Sequence, residues 1–226
     1  MSGVLNSDGV GNSWQVAKEI VELGKHKIDI LNLSFSCYTG DAQPPLALAT
    51  AIDRLDPEIV VVAGAGNYGP RVDFVESYPG GQLVDMSVAP AWPAPLDDVV
   101  AVGSTFGTTS LRAAFSPNAP WIDIVAPGDP MTSTFVGSLI EGGSKDNAFA
   151  SWNRTSFSTA VVSGAIAALM MRGKTAREAW RQIRDKGLTA RHPLEASTSA
   201  AAGQGGPGAI LPASDVPSFI VNFGAQ

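Results

Sequence analysis

Residues 153–169 read NRTSFSTAVVSGAIAAL, hydroxyl side chains first and then a run that is apolar on every face for about three turns. A helix of this composition is expected to be buried, crossing a core. Its N-terminus presents unpaired N–H groups and partial positive charge to whatever lies there. Thr155, Ser156 and Ser158 fit ordinary capping of such a helix. They fit equally a nucleophile whose developing anion the helix end stabilises. That second reading requires a general base, a further oxyanion donor and a sheet that brings them together.

Outward from this helix the chain alternates. NSWQVAKEIVELG, from Asn12, reads as a helix with Asn12 and Gln15 as a capping box, Val16, Ile20 and Leu23 on one face and Gly24 at its close. IDILNLS (28–34) is a strand, PLALATAIDRL (45–55) an amphipathic helix and EIVVVAGAG (58–66) a buried strand. VVAVGST (99–105) and WIDIVAPG (121–128) add two strands. Thr175 and Glu178 form a capping box for the helix TAREAWRQIRDKG, which Gly187 is expected to end. The Ala/Ser/Gly-rich run 196–208 reads as a connector. Such alternation predicts an α/β fold, a largely parallel sheet with helices on both faces, because strands that are aliphatic throughout must be covered on both sides. Ligands of such sheets sit at the carboxyl ends of the strands. Here those ends are Ser34-Phe35-Ser36, Gly64-Ala65-Gly66-Asn67 and Gly103-Ser104.

Composition narrows the function. The 226 residues are 45% hydrophobic, enough for a sizeable core, and a net charge of -6 without a Lys/Arg cluster argues against nucleic acid or an anionic membrane surface as partner. A small-molecule or peptide ligand is expected. Cys37, the single cysteine, cannot form an intrachain disulfide. The opening MSGVLNSDGVGN has neither a basic start nor an apolar h-region, so it carries no export address, and the compartment stays open.

VVVAGAGNYG also contains Gly64-x-Gly66-x-x-Gly69 directly after a strand, with Asp85 near the distance of a ribose-binding acid. That dinucleotide fingerprint works only where a helix starts at the glycines. Pro70 follows at once, and GPRVDFVESYPGGQ shows no helical face.

Taken together, these segments resemble the subtilisin-like serine proteases. TSFSTAVVSGAIAAL resembles their nucleophile helix and VVVAGAGNYG their oxyanion-asparagine segment. ILNLSFS resembles their substrate-binding strand, AWPAPLDDVVAVGST a wall of the substrate pocket, and FSPNAPWIDIVAPG the segment leading toward the nucleophile. The resemblance implies that Ser156 attacks the scissile carbonyl while its own N–H and the Asn67 amide hold the oxyanion. It implies that Ser34, Phe35 and Ser36 pair with an extended peptide, while Ala63, Gly64 and Ala65 line a pocket roomy enough for a large apolar side chain. It implies no organic cofactor; a structural calcium ion is compatible with the family, with no ligand set to assign it to. The Trp92–Pro93 bond is expected to be cis.

Departures from the family pattern are as informative. Family members carry Asp and His upstream of the serine, and no segment here matches those parts. His26 precedes the strand whose far end forms the site, and His192 follows the last helix; both read as surface. Arg154 stands where the family has glycine and Ala160 where it has proline. Residues 1–188 are thus expected to form a subtilisin-like catalytic domain incomplete on its N-terminal side, with 189–226 as an extension. Its partners would be a peptide or protein substrate and an upstream segment or second chain carrying Asp and His. A noncatalytic relative that still binds peptides is the alternative, ahead of a dinucleotide-binding domain.

Overall fold

The computed structural model describes residues 11–69, 75–77, 83–85, 89–109, 111–134, 149–189 and 209–210. Four helices occur in this part of the chain: α1 (Ser13–Leu23), α2 (Leu46–Asp53), α3 (Thr155–Met170) and α4 (Ala176–Thr189). The strands are β1 (Ile30–Leu33), β2 (Val60–Gly64), β3 (Val75–Ser77), β4 (Leu83–Asp85), β5 (Val99–Phe106), β6 (Ile124–Asp129), β7 (Met131–Thr134), β8 (Phe149–Trp152) and β9 (Ala209–Ile210).

Five strands form one sheet in the order β1-β2-β5-β6-β9, every pair parallel, with Val61 opposite both Leu31 and Val99. The hairpins β3-β4 and β7-β8 stand apart from it. Burial on both faces explains the unbroken aliphatic run Val60–Val62. On one face Val60, Val62, Val100, Val102 and Ile124 pack against Val162 and Ile166 of α3 and Trp180 and Ile183 of α4. On the other, Leu31, Leu33, Val61, Val99 and Ala101 pack against Val16 and Ile20 of α1 and Leu48 and Ile52 of α2. The expected α/β architecture, a mostly parallel sheet between helices, is present.

The local signals act as expected at most termini. Asn12 Oδ1 accepts from the Gln15 N–H at 2.8 Å. Thr175 and Glu178 form the reciprocal capping box, Thr175 N–H to Glu178 Oε2 at 2.9 Å and Glu178 N–H to Thr175 Oγ1 at 3.2 Å. Some expectations require correction. Gly187 does not end α4, which runs on to Thr189. A glycine inside a helix costs only about 1 kcal/mol against alanine, and the buried face of α4 outweighs it. Leu23 is 40% exposed, and Ala17 takes its place in the buried face of α1. Ser104 is no strand end, because β5 continues to Phe106 and leaves Ser104 fully buried. The Trp92–Pro93 bond is cis, as is Asp129–Pro130. The connector 196–208 and His192 lie outside the described residues.

Candidate functional site

Helix α3 starts at the carboxyl edge of the sheet because a glycine lets it. A Cβ on Gly64, the last residue of β2, would lie 3.1 Å from Thr155 Oγ1, 3.2 Å from Thr159 Oγ1 and 3.6 Å from the Ser156 nitrogen. A side chain here would press on both threonine hydroxyls by a few tenths of an ångström, so glycine suits the close meeting of strand end and helix start. The contact is then locked by Asn67, three residues beyond β2. Its Oδ1 accepts from the Thr155 N–H at 2.9 Å and from Thr155 Oγ1 at 3.1 Å, and Thr155 Oγ1 also lies 3.2 Å from the Gly66 carbonyl.

These bonds fix which end of the amide points where. With Oδ1 committed to Thr155, Nδ2 is the free end, a donor with no partner among the described residues. The Ser156 N–H, in the first turn of α3, likewise has no partner there. Two unpaired donors and the positive end of a sixteen-residue helix thus lie around Ser156. Ser156 itself is half-buried; its hydroxyl donates to the Ser34 carbonyl at 3.3 Å, and Ser34 Oγ donates back to the Ser156 carbonyl at 3.1 Å. Asn32 Nδ2 holds Ser34 Oγ at 2.8 Å, and Ser163 Oγ of α3 reaches Asn32 Oδ1 at 3.0 Å. A chain of polar contacts therefore ties β1 to α3 along the helix's outer side.

Arg154 causes no distortion beside the serine. Its φ of -170° and ψ of 158° are extended backbone open to any residue, so no glycine is required at this position. Its side chain does not cap the helix and instead turns to the Asn153 carbonyl at 2.9 Å.

The predicted peptide-binding residues separate into two groups. Ser34 and Ser36 are exposed and Phe35 is half-buried against the α1/α2 core, the alternation of a strand with one face open. Ala63, Gly64 and Ala65 are all buried. Ala63 packs in the α1/α2 core, Gly64 meets α3 and Ala65 packs with Ala119 and Ile122. Residues at a strand end need not face the cleft, because alternate side chains point to opposite faces. Gly66, one of the glycines at this strand end, has the Tyr38 hydroxyl where its own side chain would lie, a contact that the sequence does not announce.

The site lacks a base among the described residues. His26 is exposed in the turn before β1, at the opposite end of that strand from Ser34, and roughly four residues of β1 at about 3.3 Å each separate the two ends. The glycines 64–69 do not open a helix either, since the next described element is strand β3. Without a helix N-terminus there the dinucleotide reading loses its anion site. No group of three or more His, Cys, Asp or Glu placed to hold a metal occurs among the described residues. Nor is any described helix long and apolar enough to cross a membrane. A cavity of about 460 Å³ at the other end of the sheet, lined by Asp97, Asp98, Asp123, Arg177, Trp180 and Arg184, contains none of the predicted site residues. Burial there raises the Asp123 carboxyl above its ordinary pKa, partly offset by the Ala101 N–H it accepts at 2.8 Å.

The sheet and its helices define the class of α/β proteins with a mostly parallel sheet, here with Ser156 at the start of α3 beside the end of β2. Within that class the family follows from comparison with known proteins. The subtilase family model matches residues 1–205, and the chain belongs to that family. It is 30% identical over 200 residues to mycosin-4 of Mycobacterium tuberculosis, covering 83% of this chain and 42% of that protein. It is 28% identical over 184 residues to subtilisin E of Bacillus subtilis, covering 81% and 41%. The chain thus spans about two-fifths of the length of these relatives. Among solved structures, the S41 psychrophilic protease superposes with a TM-score of 0.65 at 19% identity, over 93% of this chain and 67% of that one. The self-cleaved protease domain of PatA superposes with a TM-score of 0.58 at 22% identity, over 81% and 62%. At these identities the structural matches speak for the fold.

Proposed function

We propose that this chain is the serine-bearing part of a subtilisin-type endopeptidase, with Ser156 as nucleophile and the Asn67 amide and Ser156 N–H as oxyanion donors. The observation that carries the reading is the pair of bonds from Thr155 to Asn67 Oδ1, which leaves Nδ2 as a donor beside the serine. Donors held in place before the reaction stabilise charge without reorganising. An extended peptide adds to the exposed edge at Ser34–Ser36, its carbonyl between these donors. Ser156 Oγ attacks that carbonyl, forming an acyl-enzyme once a base takes the hydroxyl proton.

That base comes from elsewhere. A neutral hydroxyl bonded to the Ser34 carbonyl is a weak nucleophile, and His26 does not reach it. The Asp and His are supplied by an upstream segment or a second chain, and the surface suits an added element. Among the described residues strand β1 is the last strand of the sheet on its side, and the neighbouring side of α3 exposes Ala160 and Ala167. Alone, the chain hydrolyses no peptide bond at a useful rate.

The test mixes the purified chain with a polypeptide carrying the upstream Asp and His. Peptidase turnover and fluorophosphonate labelling of Ser156 are followed, with Ser156→Ala as control. Turnover that needs both the added segment and Ser156 supports the reading. Ser156-dependent turnover by the chain alone overturns the need for a complement, and no turnover with the docked segment favours a noncatalytic peptide-binding relative.

A further inference from the structure

The wall of the cleft contains a side chain that the small residues around it do not account for. Leaving β1, the chain is pinned at Cys37, whose N–H and carbonyl both pair with Trp92 at 2.9 Å. Tyr38 therefore departs from a fixed point. Its ring meets Tyr68 edge-on, with centroids 5.3 Å apart and planes at 61°, which sets its direction. The phenol then crosses the end of β2, and Tyr38 Oη lies where a side chain on Gly66 would be. Ala91 Cβ bounds the same space, 3.0 Å from that position.

Gly66 has a φ of 95°, so the turn into Asn67 requires glycine for its backbone. Gly66 directly precedes Asn67, so in the peptide-binding reading proposed above the side chain that precedes the attacked carbonyl comes to lie beside it. Tyr38 Oη takes that space. The neighbouring wall residues Ala65 and Ala91, 1% and 0% exposed, are packed against other parts of the interior and cannot yield space.

We propose that Tyr38 is the floor of the subsite for the residue before the scissile bond and restricts that residue to glycine, alanine or serine. This rests on the peptide-binding reading of the cleft given above and reverses the expectation of a large apolar side chain. Exclusion follows from packing, since Tyr38 is held at both its backbone and its ring and a bulky side chain would have to displace it.

Peptide boronates that differ only in the boron-bearing residue test this with the full chain docked to the segment that supplies the Asp and His. The boron accepts Ser156 Oγ as its fourth ligand, the hydroxyl proton passes to solvent, and the peptide's register is thereby set. The wild-type chain is expected to bind the alanine analogue about tenfold or more tighter than the phenylalanine analogue, and Tyr38→Ala to abolish or invert that ratio. Tyr38→Phe keeps the ring against Tyr68 and removes only Oη; it shifts the ratio part of the way, and it decides the matter alone if Tyr38→Ala does not fold. Equal or tighter binding of the phenylalanine analogue by wild type, or a ratio unmoved in the folded variants, overturns the role of Tyr38 and leaves the peptide-binding reading standing. Failure of every analogue to bind the complemented wild-type chain at Ser156 overturns both.

Discussion

Helix α3 has two sides of similar composition and opposite fate. On the inner side Val161, Val162, Ala165, Ile166 and Leu169 are at most 7% exposed, packed on the sheet and on α4. On the outer side Ala160 and Ala167 are exposed, and Met171 just beyond the helix is 90% exposed. A mostly apolar trough of about 560 Å³ runs beside it, between Ile28, Asp29 and Ile30 on one hand and Ala167, Met170 and Met171 on the other. The helix expected to be buried on every face is therefore buried on one. Hydrophobic composition states that a surface is able to be covered, and the elements at hand decide which surface is covered. An exposed apolar strip beside a free strand edge is the kind of surface that marks an interface.

The largest effect expected from this contrast is on the inner side. Ile166→Ala opens a cavity in a fully buried cluster and should cost about 2 to 5 kcal/mol, measured by denaturant unfolding. A cost below 1 kcal/mol would mean that the inner packing is as loose as the outer.

Next comes the helix start, where stability and chemistry can be separated. Asn67→Leu leaves the Thr155 N–H and one hydroxyl contact without their acceptor and should destabilise by about 1 to 3 kcal/mol. Asn67→Asp keeps the acceptor and adds negative charge at a helix N-terminus, so stability should stay near wild type. It lacks the amide donor, and binding of a peptide boronate should still weaken by roughly ten- to a hundredfold. Loss of stability without loss of binding in the Asp variant would contradict the assignment of the free Nδ2.

Smaller still is Ser158→Ala. Among the described residues this fully buried hydroxyl has no partner, and it sits with the equally unpartnered Ser104 hydroxyl around Gly128. Its removal should be neutral or stabilising by up to about 1 kcal/mol, read from the midpoint of thermal unfolding. Smallest is Ala167→Ser on the outer side, expected within about 0.5 kcal/mol in the isolated chain. The same change should weaken association once a complementary segment covers that side, a difference that titration of the segment would measure.

Alternation of aliphatic strands with amphipathic helices, the caps at Asn12 and Thr175, and the apolar run after Ser156 were all legible from residues alone. These are local effects: a capping side chain reaches three residues, and a strand declares its burial through its own composition. Ser156 and Asn67 were nameable only by resemblance, and the bond that joins their segments, Thr155 to Asn67, spans 88 residues and is contained in no local pattern. The cleft wall shows the limit most clearly. Ala63, Gly64 and Ala65 look like open space in one dimension, yet each is packed, and the gap at Gly66 is filled by Tyr38 from 28 positions upstream. What the sequence determined by itself was the set of elements and the groups capable of chemistry, because propensity and periodicity act between near neighbours. Which face of α3 is finished, which end of the Asn67 amide is free and what fills the space beside Gly66 were decided only by the tertiary structure, because close packing brings together atoms whose sequence separation carries no information about their distance.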